Sequence, residues 1–267
     1  MSLLSRLKIF LWRSIYPFYW LWFNFNKIDS RSRFISTHYQ GAITYDTDGL
    51  TTSNNCDFIT EPRFAKAYAY AAATNPWKGF TLQWRVYVVC WFANHVKGLA
   101  GDFVECGVNT GAYSRAVIDY IEFEKLGKTF YLLDTFDGFP DDQVTEPERV
   151  AGIMQYGGSH YKDVYDQVLK TFAGFPVDVI RGRVPDTLLL CKTQAVAYLS
   201  IDMNAVVPEI AAMEFFWDKL VPGAVIILDD YGFPMHINQK KAFDAFAKSR
   251  KTEILSLPTG QGIMFKS

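Results

Sequence analysis

Residues 101–111 read GDFVECGVNTG, residues 130–140 FYLLDTFDGFP, residues 195–202 AVAYLSID and residues 224–230 AVIILDD. Each carries a short apolar run of buried-strand length, and each run ends at an acidic residue or a glycine turn. Between them lie helical stripes. Tyr113, Ala116, Val117, Tyr120 and Ile121 fall on one helical face, with Gly127 as the expected stop. Tyr161, Val164, Tyr165, Val168, Leu169 and Phe172 form a second stripe, closed by Gly174 and followed by VDVI as a further strand. Pro208 opens a third helix with a stripe of Ile210, Met213, Trp217 and Leu220, and Ala242, Phe243, Phe246 and Ala247 mark a fourth. TEILSL and GIMFKS, joined by PTGQG, read as a closing hairpin. Strands alternating with helices predict a mostly parallel α/β sheet covered on both faces, with an antiparallel C-terminal edge. Ligands of such sheets bind beyond the carboxyl ends of the strands, so the residues ending strands are the ones to examine.

Outward from this body, two helical patterns span about 62–74 and about 80–97, and residues 36–60 are polar and turn-rich, as a linker or mobile cover would be. Residues 1–35 form an arm, expected to be helical, in which LLSRLKIFLWRSIYPFYWLWFNF (3–25) crowds Trp, Tyr and Phe among Arg6, Lys8, Arg13 and Lys27. Its apolar stretch is short of the roughly 20 residues a membrane span needs. The mixture suits packing on a partner subunit or on the chain's own body, and also peripheral contact with a membrane surface through residues 1–25. The division expected is therefore an arm at 1–35, a linker and helical cap at 36–98, and the strand–helix domain at 99–267.

With 49% hydrophobic and 21% charged residues among 267, the chain can bury a large core and is not globally disordered. A formal net charge of -1 argues against a nucleic-acid binder. Cys56, Cys90, Cys106 and Cys191 form no C-x-x-C pair, which fits a reducing, cytoplasmic setting. No G-x-S-x-G elbow is present, which disfavours a covalent hydrolase.

Gly107 and Gly111 would let the backbone turn tightly after the first strand, but their spacing is not G-x-G-x-x-G, and an ordinary strand-to-helix turn explains it equally well. Asp134 ends the second strand, where a carboxylate takes the hydroxyls of a ribose in both NAD and S-adenosylmethionine (SAM) enzymes; a turn cap at Asp134-Thr135 is the alternative. Asp202 and the pair Asp229-Asp230 end neighbouring strands and would converge. Three carboxylates repel one another unless protons or a cation neutralise them, and all-oxygen ligation suits Mg²⁺, Mn²⁺ or Ca²⁺. Of the histidines, His95 reads as structural, while His160 in the 141–160 loop and His236 beside the carboxylates are candidates for the acceptor site, and packing roles compete with both.

GDFVECGVNTG, FYLLDTFDGFP, YLSIDMN, WDKLVPGAVIILDDYG and LPTGQGIMFK together resemble the macrocin/mycinamicin O-methyltransferase family over about residues 80–267. The resemblance implies a class I methyltransferase-like Rossmann fold with a seven-stranded sheet, SAM as methyl donor, and a divalent ion (Mg²⁺ or Mn²⁺). It implies cofactor contacts at Glu105, Gly107, Asn109, Gly111, Tyr113, Ser114, Asp134, Thr135 and Asp202, and metal ligation by Asp202, Asp229 and Asp230. Asp202 is then the expected base, with His236 beside it in the catalytic set. The acceptor would be a hydroxyl of a sugar, free, lipid-linked or part of a natural-product glycoside, or else a phenol, and a homo-oligomer is expected. The arm is not part of the family pattern, and Asn109-Thr110 stand where bulkier or basic residues are usual. A nicotinamide-dependent oxidoreductase and a non-catalytic SAM-binding scaffold are the competing classes. The first would have no need for the carboxylate trio, and methyl transfer would separate the second.

Overall fold

The computed structural model describes residues 42–76, 79–138, 140–153 and 163–267. The expected arm at 1–35, His38, Tyr161 and the end of the 141–160 loop, residues 154–160 with His160, lie outside the described residues. The chain divides into two compact units, Met1–Phe58 and Ile59–Ser267.

In the first unit, the stretch expected to be a linker contains an antiparallel hairpin, β1 (Tyr45–Thr47) and β2 (Leu50–Thr52), with Tyr45 opposite Thr52. Asp48 and Gly49 form its two-residue turn with φ of 54° and 73°, the left-handed pair that an Asp-Gly dipeptide favours. Thr51 Oγ1 donates to Asp46 Oδ1 at 2.7 Å across it.

The second unit opens with α1 (Pro62–Ala73) and α2 (Gln83–Val96). Pro62 starts α1, and the Glu61 carboxylate caps it by accepting from the N–H groups of Arg63 and Phe64. There follow β3 (Asp102–Cys106), α3 (Ala112–Ile121), β4 (Phe130–Asp134), the short α4 (Glu146–Val150), α5 (Tyr165–Phe172), β5 (Val177–Arg181), β6 (Val196–Ile201), α6 (Val206–Trp217), β7 (Leu220–Leu228), α7 (Ile237–Ser249), β8 (Leu255–Ser256) and β9 (Gly262–Phe265). The seven strands β3–β9 form one sheet in the order β5-β4-β3-β6-β7-β9-β8. The pairs from β5 through β7 are parallel, and β9 runs antiparallel to both β7 and β8. The expected closing hairpin is present, and its second strand is inserted between the first and β7. The order reverses between β3 and β6, so a crevice opens at their carboxyl ends.

Three helix boundaries differ from the expectation. α3 stops at Ile121 rather than near Gly127, because Glu122 takes the left-handed cap conformation at φ 54°. α6 begins at Val206, two residues before Pro208, which therefore falls in the first turn. Leu220, assigned to that helix by its spacing, is instead the first residue of β7. Its periodic position continued the helical stripe by coincidence, since a buried strand start is apolar too.

Alternation along β3 sends Val104 and Cys106 to one face and Phe103 and Glu105 to the other. The first face packs under α6 and α7 through Met213, Phe216, Trp217, Phe243 and Phe246. On the second face Phe103 lies between Phe123, Phe130 and Tyr198, with ring centroids 4.9–5.7 Å apart. All four rings are buried, and each contributes about 1.5–3 kcal/mol on area grounds. α3 covers this face and α1 and α2 pack against α3. Arg85 of α2 and the loop between α1 and α2 thus reach the same crevice as the strand ends. Among the described residues no helix is long and apolar enough to cross a membrane.

Candidate active site

Two cavities open at the carboxyl edge of the sheet and share Gly107, Asp202 and Asn204 in their walls. The first, about 530 Å³, runs past Leu133, Asp134, Thr135, Gln143 and Val184. The second, about 730 Å³, is walled by Pro76, Phe80, Leu82 and Arg85 on one side and by Glu105, Asn109, Tyr113, Asp229 and Asp230 on the other.

The turn after β3 sets the width of the junction. Gly107 has φ +88°, and a Cβ there would lie 1.7 Å from the carbonyl oxygen of Asp202. Only glycine lets β3 and β6 approach so closely, with Asp202 N donating to Cys106 O at 2.8 Å, while Gly107 N donates to Leu133 O of β4 at 2.9 Å. Asp134 then locks the turn. Its Oδ2 accepts from Val108 N (2.6 Å) and Asn109 N (2.8 Å), and its Oδ1 accepts from Phe136 N (2.7 Å). Burial raises the pKa of this carboxyl, while those N–H groups pull it the other way. Thr135 Oγ1 donates to the carbonyl of Gly138. The side-chain oxygen of Asn109 is buried and has no donor among the described residues.

Of the expected cofactor residues, Glu105, Gly107, Asn109, Tyr113 and Asp202 line the second cavity, and Asp134 and Thr135 line the first with Gly107 and Asp202. Gly111 and Ser114 line neither. Gly111 makes room for the Phe172 ring, and the buried Ser114 hydroxyl donates to Glu105 from beneath. Burial, then the charges of Asp134 and Asp229, push the Glu105 carboxyl well above the usual range.

Asp202, Asp229 and Asp230 do converge, with one carboxylate oxygen from each within 4.8 Å of the others. Burial first, then Asp229 and Asp230, hold Asp202 well above the ordinary carboxylate range, and burial raises Asp230 as well. Asp230 Oδ2 has no donor among the described residues, and Asp202 and Asp230 lie close enough to share a proton. Asp229 is held differently. Arg85 Nη1 forms an ion pair with its Oδ2, Tyr113 OH donates to the same oxygen at 3.3 Å, and Gln261 Nε2 donates to Oδ1 at 3.0 Å. A buried all-oxygen set with an unsatisfied oxygen fits a hard divalent cation. An open glycine turn and an orphaned acceptor at Asn109 fit the ammonium end of SAM.

His236 lines neither cavity. It is buried behind Asp230, with Nδ1 3.7 Å from Asp230 Oδ2. Gln239 Nε2 approaches the same nitrogen at 2.7 Å. As an amide donor it requires Nδ1 to accept, which leaves the ring proton on Nε2. His95, in the last turn of α2, stacks on Trp91 at 5.4 Å.

The family described as Macrocin-O-methyltransferase (TylF) matches residues 88–257, well over half of the chain. The chain belongs to the macrocin O-methyltransferase family. It is accordingly an SAM-dependent O-methyltransferase, and its mostly parallel seven-stranded sheet with an antiparallel C-terminal edge is as the resemblance implied. Among solved structures it is similar to the O-methyltransferase NovP, at 20% identity and a TM-score of 0.62, over 68% of this chain and 79% of that one. It is also similar to CalS11, a calicheamicin methyltransferase, at 14% identity and a TM-score of 0.54, over 81% and 99%. At these identities the likeness is one of fold. No curated protein matches the chain. Arg85 and Gln261, the residues that grip Asp229, were not singled out from the sequence, and both lie outside the matched span. The one available signal was an arginine set in an otherwise apolar helix start, QWRVYVV.

Proposed function

We propose that this methyltransferase acts on a hydroxyl of a sugar, free, lipid-linked or within a natural-product glycoside, and requires Mg²⁺ or Mn²⁺. The observation that carries the proposal is the convergence of Asp202, Asp229 and Asp230 in a cavity that joins, at Gly107 and Asp202, the one ending at Asp134. The names of the matched family and of CalS11 support a glycoside acceptor. In this reading Asp134 and Thr135 hold the ribose end of SAM, while Glu105, Asn109 and Tyr113 face its amino-acid end. SAM supplies a methyl group on a sulfonium that carries its own leaving group. Asp202, Asp229 and Asp230 would hold the cation, which would supply Lewis acidity that lowers the pKa of an acceptor hydroxyl.

The chain's own residues do the rest. Asp202, whose carboxyl in the metal-free chain is held above the usual range by burial and then by the charges of Asp229 and Asp230, takes the hydroxyl proton. His236 packs behind Asp230, with Gln239 on its Nδ1. Pro76, Phe80 and Leu82 exclude water from the acceptor side and present an apolar wall to a sugar face. The test is methyl transfer from labelled SAM to sugar and phenol acceptors, before and after exhaustive chelation. Asp202→Asn should be slower by about 10²–10⁴-fold and should bind S-adenosylhomocysteine almost as the parent does. Full turnover without any divalent ion would remove the metal from the proposal, and an Asp202→Asn enzyme as fast as the parent would remove the base.

A further inference from the structure

The carboxylate trio contains its own cation. Arg85 comes from α2, is 13% exposed, and pairs with an Asp229 side chain that is 2% exposed. Its guanidinium stays charged at any working pH. Asp202 Oδ1 accepts from Asn204 Nδ2 at 3.2 Å, and Asp230 Oδ2 accepts from no described residue. The arginine thus touches Asp229 of the trio directly, while its charge also acts on Asp202 and Asp230, which line the cavity. With all three carboxylates ionised, as ligands to a divalent ion would be, they and one guanidinium sum to two negative charges, the amount one divalent cation cancels. Without Arg85 the same cation would leave a negative charge in the cleft, which opposes removing a proton from an acceptor there.

We propose that Arg85 is a positioning residue that serves as the resident counter-cation of the trio: it orients Asp229 and, by like charge, holds the affinity for the divalent ion down. This rests on the metal reading above. Two consequences distinguish it from a merely structural ion pair. Removing the positive charge should tighten metal binding, whereas loss of a structural contact would loosen it. The metal should also compensate for the missing guanidinium in the stability of the protein.

The experiment titrates Mn²⁺ alone into the full chain at about pH 8, following free Mn²⁺ by electron paramagnetic resonance, with a melting curve for each state. Arg85→Gln should bind Mn²⁺ at least about tenfold more tightly, since even water-like screening leaves that much repulsion between a single and a double charge within one cluster. Arg85→Lys, a shorter side chain whose charge stands further from Asp229, should bind it about threefold more tightly on the same Coulomb grounds. Gln261→Met removes an uncharged donor from the same carboxylate and should not tighten binding. Metal-free Arg85→Gln should melt below the parent, and the gap should narrow at saturating Mn²⁺. An Arg85→Gln affinity equal to or weaker than that of a parent that binds Mn²⁺ overturns the inference alone. Should the glutamine variant not fold, an Arg85→Lys affinity no tighter than the parent's does so. A parent chain that binds no Mn²⁺ overturns the metal reading, and the inference falls with it.

Discussion

Replacing Gly107 by alanine adds one carbon at the junction of the two cavities. The new Cβ would meet Asp202 O at 1.7 Å, Asp202 C at 2.4 Å and Met203 N at 3.1 Å, all backbone atoms that no rotamer change can move. The residue also sits at φ +88°. A left-handed non-glycine residue costs about 1–2 kcal/mol, and forcing a methyl into a filled space typically costs about 1–3 kcal/mol. The sum, about 2–5 kcal/mol, is a large share of the roughly 5–15 kcal/mol that holds a domain together. It should lower the melting temperature by roughly 4–20 °C. To restore ordinary contact, the carbonyl of Asp202 must retreat by about 1.5 Å, and a displacement of about 1 Å at a reacting centre can cost about 10²-fold in rate. Gly127→Ala is the control, because Gly127 has φ +64° but nothing within 4 Å of a built Cβ; it should show the conformational cost alone, with turnover intact. Urea unfolding, Mn²⁺ binding and methyl transfer on both variants decide the matter. A Gly107→Ala protein as stable as Gly127→Ala, with the parent's turnover, would refute the claim that this glycine sets the spacing of β3 and β6.

Asp134→Ala removes the acceptor of the Val108 and Asn109 N–H groups together with the proposed ribose anchor, so S-adenosylhomocysteine binding should weaken by about ten- to a hundredfold, read by calorimetry; unchanged affinity would rule out both roles. The Glu105 carboxyl, raised by burial, keeps its proton in the folded chain at a pH where the unfolded chain has released it. Its contribution to the metal-free protein is therefore fully present below the usual carboxylate range and is lost as pH rises through the raised folded value. Glu105→Gln should flatten the decline in urea stability with rising pH, and a slope identical to the parent's would contradict the assignment. A chain beginning at Ser36 should fold and bind S-adenosylhomocysteine while losing any self-association or liposome flotation that the full chain shows. Failure to fold would place residues 1–35 in the core, and unchanged sizing and flotation would remove their associative role.

What the sequence discloses depends on how locally a feature is encoded. Strand ends are local: an apolar run and the residue after it are adjacent, so Glu105, Asp134, Asp202, Asp229 and Asp230 are legible in the chain itself. Their convergence follows from one general property of parallel sheets, that all strand ends face the same way. The grip on Asp229 is not local. Arg85 is 144 residues away and Gln261 is 32 residues away, and neither carries a pattern that points at a partner. The boundary of α3 escaped because a left-handed Glu122 did the work expected of a glycine. The β1–β2 hairpin escaped although Asp48-Gly49 is a strong turn signal, because polar flanks such as Thr47, Thr51 and Thr52 masked the strand alternation. His236 was drawn toward the acceptor site by its closeness to Asp230 in the chain, but a helix start turned it under the strand end instead.

The last strand of the chain has a bearing on how the carboxylate cluster is completed. β9 enters between β7 and β8, and Gln261, the residue just before it, reaches Asp229. Arg85 reaches the same carboxylate from a helix that precedes the sheet altogether. A partly synthesised chain ending at residue 257 would contain every candidate ligand and every helix, yet Asp229 Oδ1 would lack its donor and β7 would present a bare edge. The centre is thus not assembled progressively along the chain. It is completed by closure of a circuit between two distant segments, and a fragment holding the whole matched family span would be a sheet still waiting for its final strand.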